Sequence, residues 1–304
     1  MTKVRIAVAI ATHNRLEDLK VTLNRLTEYD DAIDQILVCA DGCSDGTQDY
    51  VRQEVPDALL MENNPGKGSI PSRNRMIQQA DAPYVLLLDD DSYPVESDFF
   101  DHVVQIMEAM PEIGVLTFPQ RSDEFPETLT QQDFGENQRV GTFTSSGSII
   151  RKSLFKALGG FPGFFFHAYE EPDYSLRVHA SGNLVVQWND LTVRHHYTQQ
   201  MRNEGRTHRR HARNEMWSTL MRAPFPMVLA LIPYRVFSQG RYAAKRGLSW
   251  LVKEPQWWWQ ALCGASTAMR RREPVDKKSF KSWIKLLNTP VSFRDRETNS
   301  DTEA

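Results

Sequence analysis

Three carboxylates stand in a row, Asp89-Asp90-Asp91, directly after the apolar run Val85-Leu86-Leu87-Leu88. Crowded acids repel one another unless a cation neutralises them. The first and third, Asp89 and Asp91, are spaced to bracket one hard cation, Mg2+ or Mn2+, which would keep positions open for phosphate oxygens. The plain alternative is an acidic turn that caps the next helix. A second group, Glu170-Glu171-Pro172-Asp173, opens a helix-like run. Acids suit the positive end of a helix dipole, but three in four residues exceed what a cap requires. A carboxylate in an enclosed site can also act as a general base. His195-His196 matches no zinc-finger or zincin spacing, although one such His can join Asp91 on a metal. Arg202, Arg206, Arg209, Arg210 and Arg213, with His208 and His211, form a basic run relieved only by Glu204. That run suits a diphosphate, a nucleic acid or a membrane surface, or is simply a solvated helix face.

These groups need elements to hold them. Val4–Ala11 is a Val- and Ile-rich strand pattern ending at Thr12-His13-Asn14, after which Leu16, Leu19, Leu23 and Leu26 recur at helical spacing. Further strands are expected at Ile36–Ala40, Ala58–Met61, Tyr84–Leu88 and Gly114–Phe118, with helices at Arg73–Ala80 and Phe99–Met110. This alternation predicts a parallel sheet covered on both faces, with ligands at the carboxyl ends of its strands. The polar clusters Thr12–Arg15, Asp41–Asp45 and Asp89–Asp91 all fall at such ends. Asp41 is placed to accept a hydrogen bond from a nucleobase, whereas Asp45 reads as a helix cap. Between Gln120 and Val140 the pattern dissolves into a polar, acidic connection, expected to be a mobile loop over the site. Order resumes at Thr142–Arg151, with a helix from Ser153 and strands at Leu184–Trp188 and Leu191–Val193. Farther on, Pro224–Phe237 is apolar but broken by three prolines and Arg235, and Trp257-Trp258-Trp259 and Arg270-Arg271-Arg272 follow. Aromatics flanked by cations suit a segment lying in a membrane interface, or a small core.

With 304 residues, 40% hydrophobic and 25% charged, the chain has ordinary globular composition rather than that of a disordered or fibrous protein. No stretch reaches the ~18–20 apolar residues of a spanning helix, and Met1–Arg5 is expected to run into a strand with no signal-peptide pattern. Three cysteines, Cys39, Cys43 and Cys263, make no disulfide framework; a reducing, cytoplasmic setting is expected. The net charge of −3 hides an asymmetry: residues 1–200 carry −14 and residues 201–304 carry +11. A basic face for phosphates, nucleic acid or anionic lipid follows, and an acidic part suited to divalent cations.

Taken in order, the motifs resemble those of the family 2 glycosyltransferases, whose nucleotide-sugar-binding fold is called GT-A. The resemblance runs from Val4 to about Asn214. It rests on Thr12-His13-Asn14-Arg15, on Asp41-Gly42-Cys43-Ser44-Asp45-Gly46-Thr47, and on Gly66, Gly68, Arg73 and Asn74 of a glycine-containing loop and helix. Leu88-Asp89-Asp90-Asp91 is similar to the family's DxD metal motif, and Gly159-Gly160-Phe161 with Glu170-Glu171-Pro172-Asp173 to its acceptor-side acidic motif. His195 stands where related members carry a metal-binding His, and Arg213-Asn214 resembles a pair in rhamnosyltransferase-like members. Two departures occur: Glu170-Glu171 replaces the usual Glu-Asp, leaving the choice of base between them open, and His13 replaces a common Tyr.

The resemblance implies an α/β fold with a mainly parallel, Rossmann-like sheet and helices on both faces, divided into a nucleotide-sugar-binding half (1–119) and an acceptor and catalytic half (120–215). Outside the resemblance, a basic helical C-terminal extension (216–295) that attaches peripherally to a membrane and a disordered tail (296–304) are expected from the residues themselves. The implied donor-binding residues are Thr12, Asn14, Arg15, Asp41, Gly68, Arg73, Asp89, Asp90, Arg206 and Arg210, with Gly147 and Asp173 on the acceptor side. Asp91, Asp89 and His195 would hold Mg2+ or Mn2+, and Glu171 or Glu170 would be the base. The implied reaction is inverting transfer from a nucleotide-diphosphate sugar, UDP or dTDP favoured, to a saccharide or lipid-linked hydroxyl in polysaccharide or glycolipid synthesis. A sugar nucleotidyltransferase is the alternative, disfavoured because Ala11–Arg15 lacks the glycine of its phosphate loop. A nucleic-acid-binding protein using the basic C-terminal part is disfavoured too, since the acidic first 200 residues would repel a polyanion.

Overall fold

The computed structural model describes residues 6–196, 198 and 203–293. Its first half alternates as β1 (Ile6–Thr12), α1 (Leu16–Leu26), β2 (Gln35–Asp41), α2 (Thr47–Glu54), β3 (Leu59–Asn63), α3 (Ser69–Gln79), β4 (Tyr84–Asp89), β5 (Ser92–Pro94), α4 (Phe99–Ala109) and β6 (Ile113–Thr117). Then come β7 (Gln120–Ser122), β8 (Gln138–Arg139), β9 (Ser148–Arg151), α5 (Lys152–Ala157), α6 (Glu170–Ala180), β10 (Leu184–Gln187) and β11 (Val193–His195). Helices α7 (Glu204–Arg222), α8 (Phe225–Arg246), α9 (Leu248–Leu251), α10 (Glu254–Arg270) and α11 (Lys277–Asn288) follow, with β12 (Val291–Ser292) last.

The large sheet has the order β12-β8-β10-β6-β9-β4-β1-β2-β3. Strands β4, β1, β2 and β3 are mutually parallel, as are β6 and β10. Strand β9 runs antiparallel between β4 and β6. β1 is buried along nearly its whole length because both sheet faces are covered. Its period of two splits the core: Ile6, Val8 and Ile10 pack with Leu19, Leu23 and Phe99 on one face. Ala7 and Ala9 pack with Ile70, Met76 and Phe155 on the other.

Two expectations are corrected. The segment from Gln120 to Val140 is not a plain loop: it contains β7, a 3-10 turn at Pro126–Leu129 and β8, because its backbone finds partners in β11 and β10. The boundary expected after residue 215 falls inside α7, where Asn214 and Trp217 on one helix both reach into the preceding half. The tail at 296–304 lies outside the described residues, as does Arg202.

The chain also returns at its end to the sheet. Trp283 of α11 donates through its indole N–H to the Gly141 carbonyl at 2.8 Å, and β12 pairs with β8.

Candidate active site

The parallel strands deliver their carboxyl ends to one cleft of about 650 Å³. At the end of β2, the Asp41 carboxylate accepts hydrogen bonds from the Lys67 and Gly68 amides at 2.8 and 2.7 Å, from Asn63 Nδ2 at 2.8 Å and from Ser72 Oγ at 3.1 Å. It thereby folds the 66–68 loop against the strand and launches α3. Gly68 has φ +97, and a Cβ there would lie 2.2 Å from the Phe166 carbonyl oxygen, so only glycine fits. Asp45 caps as expected, accepting from the first amide of α1, Leu16, at 2.9 Å and from Thr47 Oγ1 at 2.6 Å.

At the end of β4 the acids divide into separate environments. Strand β11 pairs antiparallel with β5 in a register that sets His195 opposite Ser92, beside the triplet. His195 Nε2 then lies 3.1 Å from Asp91 Oδ1, and Arg15 reaches Asp91 Oδ2 at 2.6 Å. Burial alone would push the Asp91 carboxyl up, but the hydrogen bond and charge of His195, then those of Arg15, hold it well below the usual carboxylate range. Asp90 accepts from Thr12 Oγ1 at 2.8 Å and Arg15 at 2.6 Å, yet burial carries its pKa up to about 7 despite Arg15. Asp89, Asp91 and His195 each offer one ligand atom, all within 4.8 Å of one another. This oxygen-rich set with one imidazole fits a divalent cation of the Mn2+ or Mg2+ kind.

Arg73 of α3 joins the two acidic groups. One of its terminal nitrogens meets Asp89 Oδ1 at 2.5 Å and the other meets Glu170 Oε1 at 2.8 Å. Glu170 is 2% exposed, and burial raises its pKa above the ordinary value. Glu171 is half-buried and accepts from Ser145 Oγ at 2.8 Å. Burial first, then the charge of Glu170, lifts its pKa to about 7 against the pull of Arg73.

The segment before α6 is held in an unusual shape. Phe166, Ala168 and Tyr169 have φ of +72, +72 and +71 without being glycine. Asn214 Nδ2 pins it, donating to the carbonyls of Phe165, His167 and Ala168 at 3.2, 2.9 and 2.8 Å. Arg213 adds a bond to the Phe165 carbonyl at 2.8 Å. The result carries His167 into the cleft, its Nδ1 2.8 Å from Ser69 Oγ. Burial, helped by the charges of Arg73 and Arg210, lowers its pKa to about 4, so the ring is neutral.

Thr12, Arg15, Asp41, Gly68, Arg73, Asp89, Asp90, Arg206 and Arg210 all line this cleft. Seven expected residues are not in its lining: Asp91 and Glu170 stand behind the lining residues Arg15 and Arg73, to which they are paired, His195 lies against Asp91, Glu171 adjoins Glu170, and Asn14, Asp173 and Gly147 serve the scaffold. Asn14 is a turn residue at φ +52 whose Oδ1 accepts from the Ser44 amide at 2.7 Å. Asp173 is fully buried, bound to Arg177 at 3.0 Å, Ser218 at 2.9 Å and Arg222 at 3.2 Å, and so braces α6 against α7 instead of meeting an acceptor. Gly147 is buried where a Cβ would press on Val193 at 3.0 Å, so it makes room for β11. Sequence reading missed His167, Phe166, Ser69 and Glu124, which also line the cleft. Their only signal was position: His167 stands three residues before Glu170, and Ser69 follows Gly68.

An open, largely parallel sheet with a glycine loop, a DxD strand end and a facing acidic helix defines the GT-A class of glycosyltransferase. Residues 7–171, over half of the chain, match the profile of Glycosyl transferase family 2, and the chain belongs to that family. No curated protein matches the sequence significantly. Among solved structures it is similar to S. aureus TarS in complex with UDP-GlcNAc, with a TM-score of 0.62 at 18% identity over 88% of this chain and 82% of that one. It is also similar to the mannosyltransferase PcManGT of Pyrobaculum calidifontis in complex with GDP-Man and Mn2+, with a TM-score of 0.58 at 18% identity over 95% and 85%. A third, GalNAc-T7 with UDP, GalNAc and Mn2+, gives a TM-score of 0.59 at 13% identity over 73% of this chain but only 48% of that one. At these identities the likenesses establish the fold.

Proposed function

We propose that the protein is a metal-dependent, inverting glycosyltransferase that moves a sugar from a nucleoside-diphosphate sugar to an acceptor hydroxyl. The observation that carries this reading is the bridge through Arg73, which puts a cation-binding carboxylate pair on one side and an enclosed glutamate pair on the other. Thr12 and Asp41 border the part of the cleft assigned to the base, with a uracil or thymine ring favoured. Asp89, Asp91 and His195 would hold Mn2+ or Mg2+, which, when bound, supplies positive charge to the departing diphosphate. Arg206 and Arg210 line the same cleft and add fixed positive charge for those phosphates.

Glu171 is assigned as the base. Its partner Glu170 is tied to Arg73, whereas Glu171 accepts from neutral donors, the Ser145 hydroxyl at 2.8 Å and the Ser145 amide at 3.4 Å. A carboxyl with a pKa near 7 holds and releases a proton at physiological pH. Glu171 takes the proton of the acceptor hydroxyl as that oxygen bonds to the anomeric carbon. The bond from that carbon to the diphosphate breaks on the opposite face, and the configuration inverts. Saccharide or lipid-linked hydroxyls in polysaccharide or glycolipid synthesis are the acceptor classes assigned.

The test is a thermal-shift panel of UDP, TDP, GDP and CMP, each with and without Mn2+. A ligand that binds only the folded state raises the melting temperature by mass action. Mn2+-dependent stabilisation by UDP or TDP is the expected outcome. No shift with any diphosphate in the presence of metal would overturn the reading.

A further inference from the structure

Twenty large hydrophobic side chains are exposed among the described residues, and twelve of them lie between Phe225 and Met269. They are not randomly placed. Helix α8 turns Val228 and Ala243 inward and ties itself to α7 through Arg235, which bonds Thr219 and pairs with Glu215. Phe225, Leu229 and Phe237 of the same helix, within an arc of about 120° on its surface, are 66, 68 and 69% exposed. Helix α10 turns Trp257 and Ala268 inward, and Gly264 leaves room for the ring of Trp217 of α7. Its outer side carries Trp259 and Leu262, 69 and 70% exposed. Between the two helices, Leu248 of α9 and Val252 are 73 and 63% exposed.

A helix lying on a soluble core normally turns polar residues to water. Here α8, α9 and α10 expose many apolar and aromatic side chains, and clusters of this kind mark interaction surfaces. Charge says which kind. Residues 225–272 hold eight Lys and Arg and a single acid, Glu254, which is buried and bonded to His208 and Trp257. Arg241, Lys245, Lys253 and Arg270 of this stretch are exposed. Two copies of the chain meeting through this surface would bring like charges together. An anionic surface would neutralise them. No helix among the described residues is long and apolar enough to cross a membrane.

We propose that the outer sides of α8 and α10, with α9 between them, form a docking surface for an anionic lipid membrane. The aromatic and aliphatic side chains enter the headgroup boundary, and the exposed Arg and Lys side chains meet anionic headgroups. Both helices pack on α7, whose Arg206 and Arg210 line the cleft, so docking brings the cleft close to the lipid surface. This inference does not depend on the identity of the donor.

The experiment is flotation of the full chain with vesicles of phosphatidylcholine alone or of phosphatidylcholine mixed with phosphatidylglycerol, at low and high salt. The chain is expected to float with the anionic vesicles at low salt and to lose binding as salt rises. The double variant Trp259→Ser, Leu262→Ser should lower the partition coefficient about tenfold or more. The charge variant Arg241→Glu, Lys245→Glu should lower it with the aromatics intact. All four positions are exposed, so melting temperatures should be unchanged. Absence of flotation with anionic vesicles at low salt overturns the proposal, as does flotation that both variants leave unaltered. A dimer seen by light scattering that the Trp259→Ser, Leu262→Ser variant dissolves, without vesicle binding by the parent chain, assigns the surface to a second copy instead.

Discussion

The acids after β4 and the acids opening α6 differ in what surrounds them more than in what they are. Asp91 sits between His195 and Arg15 and is held ionised. Glu171 sits beside Glu170, bonds the Ser145 hydroxyl, and is lifted to about 7. Arg73 touches one member of each group and leaves Glu171 to a hydroxyl. Environments that push the pKa values of like groups apart assign different roles to them. A permanently charged site suits a cation and its phosphates, while a carboxyl poised near neutrality suits proton transfer.

The strongest way to break this contrast is Glu171→Gln. It should lower kcat by about 10²–10⁴, the usual contribution of a general base, in a transfer assay. Nucleotide stabilisation by Mn2+ should survive in the same protein, and near-normal turnover would remove Glu171 from the base role. Asp91→Asn should fail in the other direction. Loss of its charge should weaken metal-dependent nucleotide binding by roughly 10–100-fold, read as a reduced thermal shift at fixed Mn2+. It should also lower the melting temperature, because Arg15 and His195 lose their buried partner. A subtler change sharpens the contrast. The base works as a carboxylate, so kcat/KM should fall about tenfold per pH unit below the Glu171 pKa of about 7. The Ser145 hydroxyl donates to that carboxylate and favours its charged form. Ser145→Ala should therefore move the acidic limb to higher pH, by about one unit at most. A limb that stays put or moves down would show that another group titrates.

Much of the fold was legible because parallel strands announce themselves. Buried runs such as Val85–Leu88, followed at once by polar turns, mark both the strand and the end that faces ligand. The cleft residues read from those turns, including Thr12, Asp41 and Asp89, line it. Legibility failed where partners come from far along the chain. Asn14 and Asp173 belong to recognisable motifs, but their partners, Ser44 and the pair Ser218 and Arg222, decide that they brace structure. His167 could not be read because no periodicity points a side chain out of a left-handed segment. The 120–140 segment looked structureless since its short strands pair with β10 and β11, some fifty to seventy residues away.

The left-handed segment Phe166–Tyr169 bears on how portable this catalytic unit is. Backbone in that region costs of order 1–3 kcal/mol per residue and persists only where neighbours impose it. The groups that impose it, Arg213 and Asn214, lie beyond the 7–171 stretch that defines the family. A chimera joined at the family boundary would inherit every motif residue and lose the latch that keeps them in register. The interchangeable module in this protein therefore ends no earlier than α7, and a chimera must carry that helix together with the sheet.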